Sequence, residues 1–168
     1  DLDSDNEFAR PVSSEKLYQE LRKLGLEYGP FFRGLEDIRA DPLSYRATAI
    51  LRTEDVHAIH PTTIDKGLQL LSIAASRGKA MQGSKPHVPV FVDTILIGRN
   101  RPLVKVTASM ESLAMSQSRT KITLTDKTGR NNAKILSMKG VLLVPLESSI
   151  RTGSNNIPLA TYGEWRPD

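Results

Sequence analysis

Residues 60–78 read HPTTIDKGLQLLSIAASRG, and this segment predicts a helix that other structure surrounds. Pro61 suits the first turn of a helix, because a backbone N–H at that position has no partner within the helix in any case. The apolar residues that follow fall on most sides of the predicted helix, which is typical of a helix enclosed by other elements. We expect it to end near Gly78, since glycine readily takes the left-handed conformation that closes helices. The apolar residues are Ile64, Leu68, Leu71, Ile73, Ala74 and Ala75.

Segments rich in β-forming residues follow this helix, and one precedes it. Residues 44–52 alternate partly between polar and apolar side chains, as in a half-buried strand. A long buried helix followed by at least four antiparallel strands predicts an α+β hot-dog fold, a curved antiparallel β-sheet wrapped around a long central helix. The strand segments after the helix are residues 87–97, 103–113, 119–125 and 133–146.

A second, shorter helix is predicted ahead of these elements. Ser13 or Ser14 can cap its first turn, and the helix runs through Lys23. Gly25 is a natural stop for it. Its apolar face is formed by Leu17, Leu21 and Leu24.

The distribution of polar residues predicts one folded domain between two connecting segments. Residues 1–12 are acidic and polar and are predicted to form a linker. Residues 13–146 form the predicted hot-dog domain, and residues 147–168 form a polar tail or linker to a next domain. Because the first residue is Asp1 and not Met, we expect the chain to be a piece of a longer polypeptide.

The composition excludes several classes of protein. The chain has 168 residues, of which 39% are hydrophobic and 25% charged, and these values do not fit a disordered segment. No apolar run approaches the ~20 residues that a membrane-spanning helix needs, so a membrane is not an expected partner. The absence of cysteine excludes disulfide scaffolds, thiol nucleophiles, iron–sulfur clusters and cysteine zinc sites. We expect no bound metal and a cytoplasmic location.

The charge is distributed unevenly along the chain. Residues 1–60 carry a net charge of −4 and residues 61–168 one of +8. A nucleic-acid partner is not expected, because the basic residues are dispersed and aromatic residues make up only 5%. The positive half can instead face an acidic protein or a phosphate-bearing ligand, or be a solvated surface.

Asp65 and Gln69 are the residues whose spacing carries chemistry. They are four positions apart, so on a helix they share a face, and Gln69 can donate a hydrogen bond that orients Asp65. Asp65 is predicted to lie in the first turn, where the helix dipole favours the ionised carboxylate. A general acid must be protonated, and only desolvation in an apolar pocket outweighs that effect. The alternative is an Asp and a Gln on the solvent edge of an ordinary helix.

Four segments resemble motifs of the dehydratase domains of polyketide synthases. Residues 60–69 resemble their His-Pro-x-x-x-Asp-x-x-x-Gln motif, and residues 24–32 resemble Gly-Tyr-x-Tyr-Gly-Pro-x-Phe. Val88-Pro89-Val90 lies where the family has a Pro-containing strand. Residues 165–168, WRPD, resemble the Trp-x-Pro-Asp sequence found at the end of this domain in fungal highly reducing synthases. The order of the four segments along the chain is that of the family.

The resemblance implies the second half of such a domain. In that family two hot-dog folds lie in tandem, the first with a catalytic His in a His-x-x-x-Gly-x-x-x-x-Pro motif and the second with the catalytic Asp. None of the histidines, His57, His60 and His87, has that spacing. The implied reaction removes water from a β-hydroxyacyl thioester on an acyl carrier protein and gives an α,β-unsaturated thioester. Asp65 would be the acid and Gln69 its orienting partner, while the base would come from the missing N-terminal half.

The resemblance also implies partners and a substrate surface. The partners are the N-terminal hot-dog half, whose absence would expose the surface that it normally covers, an acyl carrier protein, and a second copy of the chain if a homodimer forms. No cofactor is implied beyond the phosphopantetheine that carries the substrate. Substrate would be bound through Tyr28, Gly29, Pro30, His60, Pro61 and Pro89, although Leu26 replaces the first Tyr of the aromatic motif. Cations that can meet the carrier, or serve only as edge-strand charges, are Arg99, Arg101 and Lys105.

Three alternatives stay open at this point. Relatives of these domains shift double bonds, close pyran rings or direct aldol cyclisation, and these isomerases and cyclases use a similar acid–base pair. A non-catalytic interaction module is the second alternative, because no base of the family pattern is present. The third is a local pair in which one of the three histidines acts as the base for Asp65.

Overall fold

The computed structural model describes residues 8–52, 60–81, 85, 87–98, 103–111, 120–126 and 134–145. The helical elements among these residues are helix α1 (Ser14–Lys23), a 3₁₀ turn (Pro30–Phe32) and helix α2 (Pro61–Ser76). The strands are β1 (Arg10–Val12), β2 (Leu35–Ala40), β3 (Arg46–Leu51), β4 (His87–Ile97), β5 (Leu103–Met110), β6 (Thr120–Asp126) and β7 (Lys134–Pro145).

The described strands form one antiparallel sheet around helix α2. Their order is β1-β2-β3-β5-β6-β7-β4, and every neighbouring pair is antiparallel. Helix α2 packs against β2, β3, β5 and β6, and its residues Leu70, Leu71 and Ala74 have no solvent exposure. The predicted α+β hot-dog fold, with a central helix enclosed by the sheet, is therefore confirmed.

The bounds of α2 agree with the sequence prediction. Pro61 is its first residue, and the helix closes through Arg77 (φ +52°) and Gly78 (φ +70°), both in the left-handed region. Gly67 lies mid-helix against β6, where an added Cβ would be 2.9 Å from Ile122 Cγ2. Glycine at this position thus allows the close approach of α2 to the sheet.

The predictions for the shorter helix and the later strands are also confirmed. Helix α1 is capped by Ser13, whose hydroxyl accepts a hydrogen bond from Lys16 N, and Gly25 follows its end at φ +87°. Strands β3 to β7 begin and end within three residues of the predicted bounds. The predicted tail, residues 147–168, lies outside the described residues.

Two strands, β1 and β2, are additions to the sequence prediction. Strand β1 lies inside the predicted linker 1–12 and pairs with β2, with Val12 opposite Ile38, so the linker prediction is wrong for Arg10–Val12. Strand β2 has no regular alternation of polar and apolar residues by which the sequence would predict it. A bulge between Glu36 and Arg39 shifts the register, so its buried positions are not all two residues apart.

Strand β4 forms one edge of the sheet and carries exposed apolar side chains. Within the described part of the chain it pairs with β7 alone, and a bulge occurs between Pro89 and Phe91. An edge strand tolerates Pro89, because the missing N–H is not needed for a second neighbour. Five of its apolar side chains have roughly half of their surface exposed. These side chains, the β4 apolar edge, are Val90, Phe91, Ile95, Leu96 and Ile97.

Among the described residues, no helix has the length and apolar character needed to cross a membrane.

Replacing Gly140 by Ala is expected to destabilise the domain through both strain and a clash. Gly140 has φ +62°, and an added Cβ would lie 2.6 Å from Asp93 Cβ. Asp93 Cβ is bonded directly to the backbone, so it cannot move away without moving the strand. Gly25→Ala is the matched control, because Gly25 also has positive φ (+87°) but no atom of the described residues lies within 4 Å of an added Cβ. Gly140→Ala should lower the free energy of unfolding by about 1–3 kcal/mol more than Gly25→Ala does. Urea denaturation measures both, and equal losses would contradict the clash.

Candidate active site

Asp65 and Gln69 form a hydrogen-bonded pair on α2. Gln69 Nε2 donates to Asp65 Oδ2 over 2.7 Å, as their spacing predicts. Asp65 is the fifth residue of the helix, so the prediction that it lies in the first turn is wrong. The dipole effect falls off within the first turn, so its preference for the ionised carboxylate is weak at Asp65.

Burial favours the protonated form of Asp65. Desolvation raises the pKa of the Asp65 carboxyl, against the smaller lowering effects of the Gln69 hydrogen bond and the Lys66 charge. The partly buried carboxyl lines a cavity of about 470 Å³. The other lining residues are Glu27, Tyr28, Gly29, Phe31 and Phe32.

The amide of Gln69 is held on three sides. Its Nε2 also donates to the backbone carbonyl of Phe32 at 3.0 Å, and the Tyr18 hydroxyl donates to its Oε1 at 3.2 Å. Because a carbonyl oxygen only accepts, the nitrogen of the amide must face Phe32. Both hydrogens of Nε2 are thus engaged, one by Phe32 and one by Asp65.

Tyr28 is the aromatic motif residue that lies beside the acid. Burial, with smaller contributions from the charges of Asp65 and Tyr18, raises the pKa of the Tyr28 phenol to about 12. The rings of Tyr18 and Tyr28 meet edge to face with their centroids 6.3 Å apart. A neutral phenol at the cavity wall can offer a hydrogen bond without adding charge.

Lys66 is a buried cation next to the acid in sequence. Its exposure is only 7%, and burial lowers the pKa of its ammonium while the Asp65 charge opposes that shift. Gly34 makes room for it, since an added Cβ there would lie 3.1 Å from Lys66 Nζ. Lys66 lines a cleft of about 1080 Å³ together with Arg33 and Arg52. Asp65 is absent from the lining of this larger cleft, so the acid belongs to the smaller cavity.

The structure divides the predicted substrate residues among three places. Tyr28 and Gly29 line the cavity of Asp65, whereas Pro30, His60 and Pro61 line the larger cleft. Pro89 lies exposed on β4 and lines neither of them.

The predicted histidines differ in what the structure shows of them. His60 caps α2, its Nδ1 accepting a hydrogen bond from Thr62 N at 3.3 Å. His87 lies at the start of β4 with Nδ1 2.8 Å from the carbonyl oxygen of Lys85, and His57 lies outside the described residues. No group of three His, Asp or Glu side chains in the described part of the chain is placed to hold a metal ion.

Tyr18 and Lys66 are the site residues that the sequence analysis missed. Tyr18 directly follows Leu17 of the apolar face of α1, and a half-buried tyrosine hydroxyl requires a hydrogen-bond partner. That signal marks Tyr18 as a residue with a polar contact, but its partner Gln69 is 51 positions away. Lys66 follows the motif aspartate directly, and its side chain lies close to Gly34, a residue that no local pattern around Lys66 indicates.

Fold and site together define a hot-dog protein with a carboxyl–amide pair at an aromatic-lined cavity. Residues 3–152 match the family model described as polyketide synthase dehydratase N-terminal domain. The chain therefore belongs to the polyketide synthase dehydratase family. The family model describes the N-terminal domain, whereas the Asp65 and Gln69 motif resembles that of the second half, so the half assignment stays a prediction.

Fungal highly reducing synthases are similar to nearly the whole chain. The synthase ALT1 of Alternaria alternata is 34% identical over 170 residues, which cover 97% of this chain and 6% of the synthase. The synthase FUM1 of Gibberella moniliformis is 32% identical over 164 residues, 94% of this chain and 6% of that protein. The chain thus spans a small part of these curated relatives.

Solved dehydratase domains share the fold. The dehydratase from the CurF module of curacin polyketide synthase superposes with a TM-score of 0.69 at 20% identity, covering 87% of this chain and 52% of that one. The PpsC dehydratase of Mycobacterium tuberculosis, in complex with C12:1-CoA, gives 0.66 at 24% identity and covers 81% and 52%. An inactive Asp-to-Asn mutant of the CurK dehydratase gives 0.67 at 20% identity and covers 83% and 49%. In each comparison this chain corresponds to about half of the other.

Proposed function

We propose that this chain is the second hot-dog half of a polyketide synthase dehydratase. It would remove water from a β-hydroxyacyl thioester on an acyl carrier protein and supply the general acid. The observation that carries this proposal is the placement of Asp65, a partly buried carboxyl of raised pKa that is oriented by Gln69 at an aromatic-lined cavity. A solvent-edge Asp on an ordinary helix would have neither the desolvation nor the fixed partner.

The reaction requires both an acid and a base, and this chain supplies the acid. A base removes the proton from the α-carbon, and the electron pair of that C–H bond forms the Cα=Cβ double bond. The Cβ–O bond breaks, its electron pair stays on the oxygen, and that oxygen takes the proton of Asp65 to leave as water. Hydroxide leaves poorly without such a proton, so protonation by a positioned acid is expected to speed this step strongly. The base in the other half, now protonated, then returns that proton through solvent to the Asp65 carboxylate, which restores both groups.

Descriptions of the solved relatives support the assignment of the acid and of the substrate class. One CurK dehydratase structure is an inactive Asp-to-Asn mutant and another is an inactive His-to-Phe mutant, so that protein depends on both residue types. PpsC was solved with C12:1-CoA, an acyl thioester with one double bond. We propose the same pairing here, with Asp65 on this chain and the histidine on the N-terminal half.

The β4 apolar edge is the proposed contact for that N-terminal half. Among the described strands β4 pairs only with β7, so its other side has backbone groups that no described strand pairs. Phe91, Ile95 and Ile97 share one face by their alternate spacing and are all about half exposed. The solved dehydratase chains are about twice the length covered by this chain, which leaves room in them for one more unit of this size. Burial of this edge against a second hot-dog fold would remove the exposed apolar surface from water.

The acyl carrier protein is the proposed source of substrate. Its phosphopantetheine arm is anionic, and residues 61–168 of this chain have an excess of positive charge. Of the cations singled out for this contact, Lys105 is exposed on β5, whereas Arg99 and Arg101 lie outside the described residues. The cytoplasmic location stays a prediction.

The decisive experiment gives the intact synthase a β-hydroxyacyl pantetheine thioester and follows its products by mass spectrometry. Loss of one water, with an α,β-unsaturated thioester as product, is the expected result. A product of unchanged mass with a moved double bond or a new ring would favour an isomerase or cyclase. Unchanged substrate, with the His-bearing half present and folded, would favour a non-catalytic module.

Phe91→Asp in the intact synthase tests the proposed contact of the two halves. Phe91 is 57% exposed here, so within this half its loss should matter little. If the N-terminal half covers it, the substitution removes about 1–2 kcal/mol of apolar burial at the contact and places a charge there. We expect lower thermal stability and slower dehydration together.

Leu43→Asp is the control for this substitution, because Leu43 is 86% exposed and lies in the turn before β3. Leu43→Asp should change neither the thermal stability nor the rate of dehydration. Equal behaviour of the two variants would contradict the contact at β4.

A further inference from the structure

We propose that Tyr18 is a positioning residue that fixes the orientation of the Gln69 amide and, through it, of the Asp65 carboxyl. This inference rests on the proposed function, since it assigns a role in the delivery of a proton by Asp65. Tyr18 lies on α1, outside every motif that the sequence analysis quoted, and it reaches across to α2.

The hydrogen bonds of the Tyr18 hydroxyl leave it one way to use its proton. Its oxygen accepts from two backbone N–H groups, Gly34 N at 3.1 Å and Leu35 N at 3.4 Å. Backbone N–H groups only donate, so the phenol proton points to the remaining neighbour, Gln69 Oε1, at 3.2 Å. The start of β2 thus sets the direction of the hydrogen bond from Tyr18 to Gln69.

That direction determines what Gln69 presents to the acid. With Oε1 facing Tyr18, Nε2 faces the carbonyl of Phe32 and Asp65 Oδ2. An amide turned by 180° would set Oε1 against the Phe32 carbonyl and lose the donation to Asp65. Because Oδ2 is occupied as an acceptor, the transferable proton belongs on Oδ1. Tyr18 therefore helps to select which oxygen of Asp65 carries the proton.

The ring of Tyr18 is held independently of its hydroxyl. It packs edge to face on Tyr28, and the guanidinium of Arg33 lies 5.5 Å from its centroid. Tyr18→Phe keeps both contacts and removes only the hydroxyl, so it is a conservative test of the hydrogen bonds.

Several charged or titratable groups surround Asp65 and must stay constant in that test. Lys66 lies on the same helix, Tyr18 faces the acid from α1, and Glu27 and Tyr28 approach it from the segment before the 3₁₀ turn. Tyr18 acts on Asp65 through the hydrogen bond that Gln69 donates to it. That hydrogen bond lowers the pKa of Asp65. Loss of the donation should therefore raise this pKa.

The experiment compares Tyr18→Phe, Gln69→Leu and the double variant in the intact dehydratase. We expect Tyr18→Phe to lower kcat for dehydration roughly three- to tenfold with little change in KM. The pKa of Asp65, followed by ¹³C NMR of its carboxyl carbon, should move upward in each single variant. In the Gln69→Leu background Tyr18→Phe should cost no further activity, because its route to Asp65 is already absent.

A structural role would give a different pattern. Multiplying effects in the double variant, or an unmoved Asp65 pKa with reduced thermal stability in Tyr18→Phe, would overturn the inference. The NMR titration needs no turnover, so it tests the coupling even if the protein is no dehydratase. Full activity of Asp65→Asn would instead refute the proposed function and leave the measured coupling standing.

Discussion

Replacing Asp65 by Asn in the intact synthase is expected to slow dehydration by roughly 10²–10⁴-fold, the range that a general acid contributes. Asn has nearly the shape of Asp, and its side-chain oxygen can still accept the hydrogen bond from Gln69 that Asp65 accepts at 2.7 Å. It has no acidic proton to give to the departing hydroxyl. Single-turnover formation of the unsaturated thioester measures the effect, and a rate within threefold of the wild type would refute the acid assignment.

The stability of the same variant provides the control for folding. Because burial raises the pKa of Asp65 in the folded state, the folded protein binds this proton more tightly than the unfolded chain does. The stability that this tighter proton binding adds to the folded state is fully present below the ordinary pKa of an Asp. It is lost as pH rises through the raised pKa of Asp65. Asp65→Asn should therefore be at least as stable as the wild type at neutral pH, with the advantage absent in acid. A variant that is less stable at neutral pH would contradict the desolvation of Asp65.

Replacing Leu70 by Ala is expected to lower the free energy of unfolding by about 2–5 kcal/mol. Leu70 lies on α2 directly after Gln69 and has no exposed surface. Its truncation leaves a cavity between the helix and the sheet that the surrounding side chains refill only in part. For a domain of this size the change corresponds to a fall in Tm of roughly 5–20 °C.

Leu68→Ala is the matched control on the same helix, because Leu68 is only partly buried. It should cost clearly less than Leu70→Ala in the same denaturant titration. If the two variants lost equal stability, the enclosure of α2 by the sheet would be wrong.

Most of the fold was predictable because its main elements have strong local patterns. Helix α2 has apolar residues on most sides between Pro61 and Gly78, and that pattern already requires surrounding structure. Strands β1 and β2 could not be predicted in this way. Strand β1 has three residues and includes Pro11, and β2 has a bulge where Asp37 takes φ +42°. Both are set by pairing across the sheet and not by their own sequences.

The site was predictable where its residues lie on one element and not where they come from several. The four-residue spacing of Asp65 and Gln69 predicts their hydrogen bond correctly. The hydrogen bond between Tyr18 and Gln69 joins α1 to α2, and no spacing of residues along the chain predicts it. The buried state of Lys66 likewise depends on Gly34, which precedes β2. Contacts between distant segments need the fold before they can be seen.

The pairing of β4 has a consequence for synthesis on the ribosome. Phe91 of β4 lies opposite Leu142 of β7, so the later strand is translated about 50 residues after the earlier one. At 5–20 residues per second, β4 and its apolar side chains wait roughly 3–10 s for their neighbour to emerge. During that interval the nascent chain presents an apolar strand with no neighbour on either side, which is the kind of segment that chaperones bind. A truncation before β7 makes this temporary state permanent, so shortened chains should aggregate in the cell.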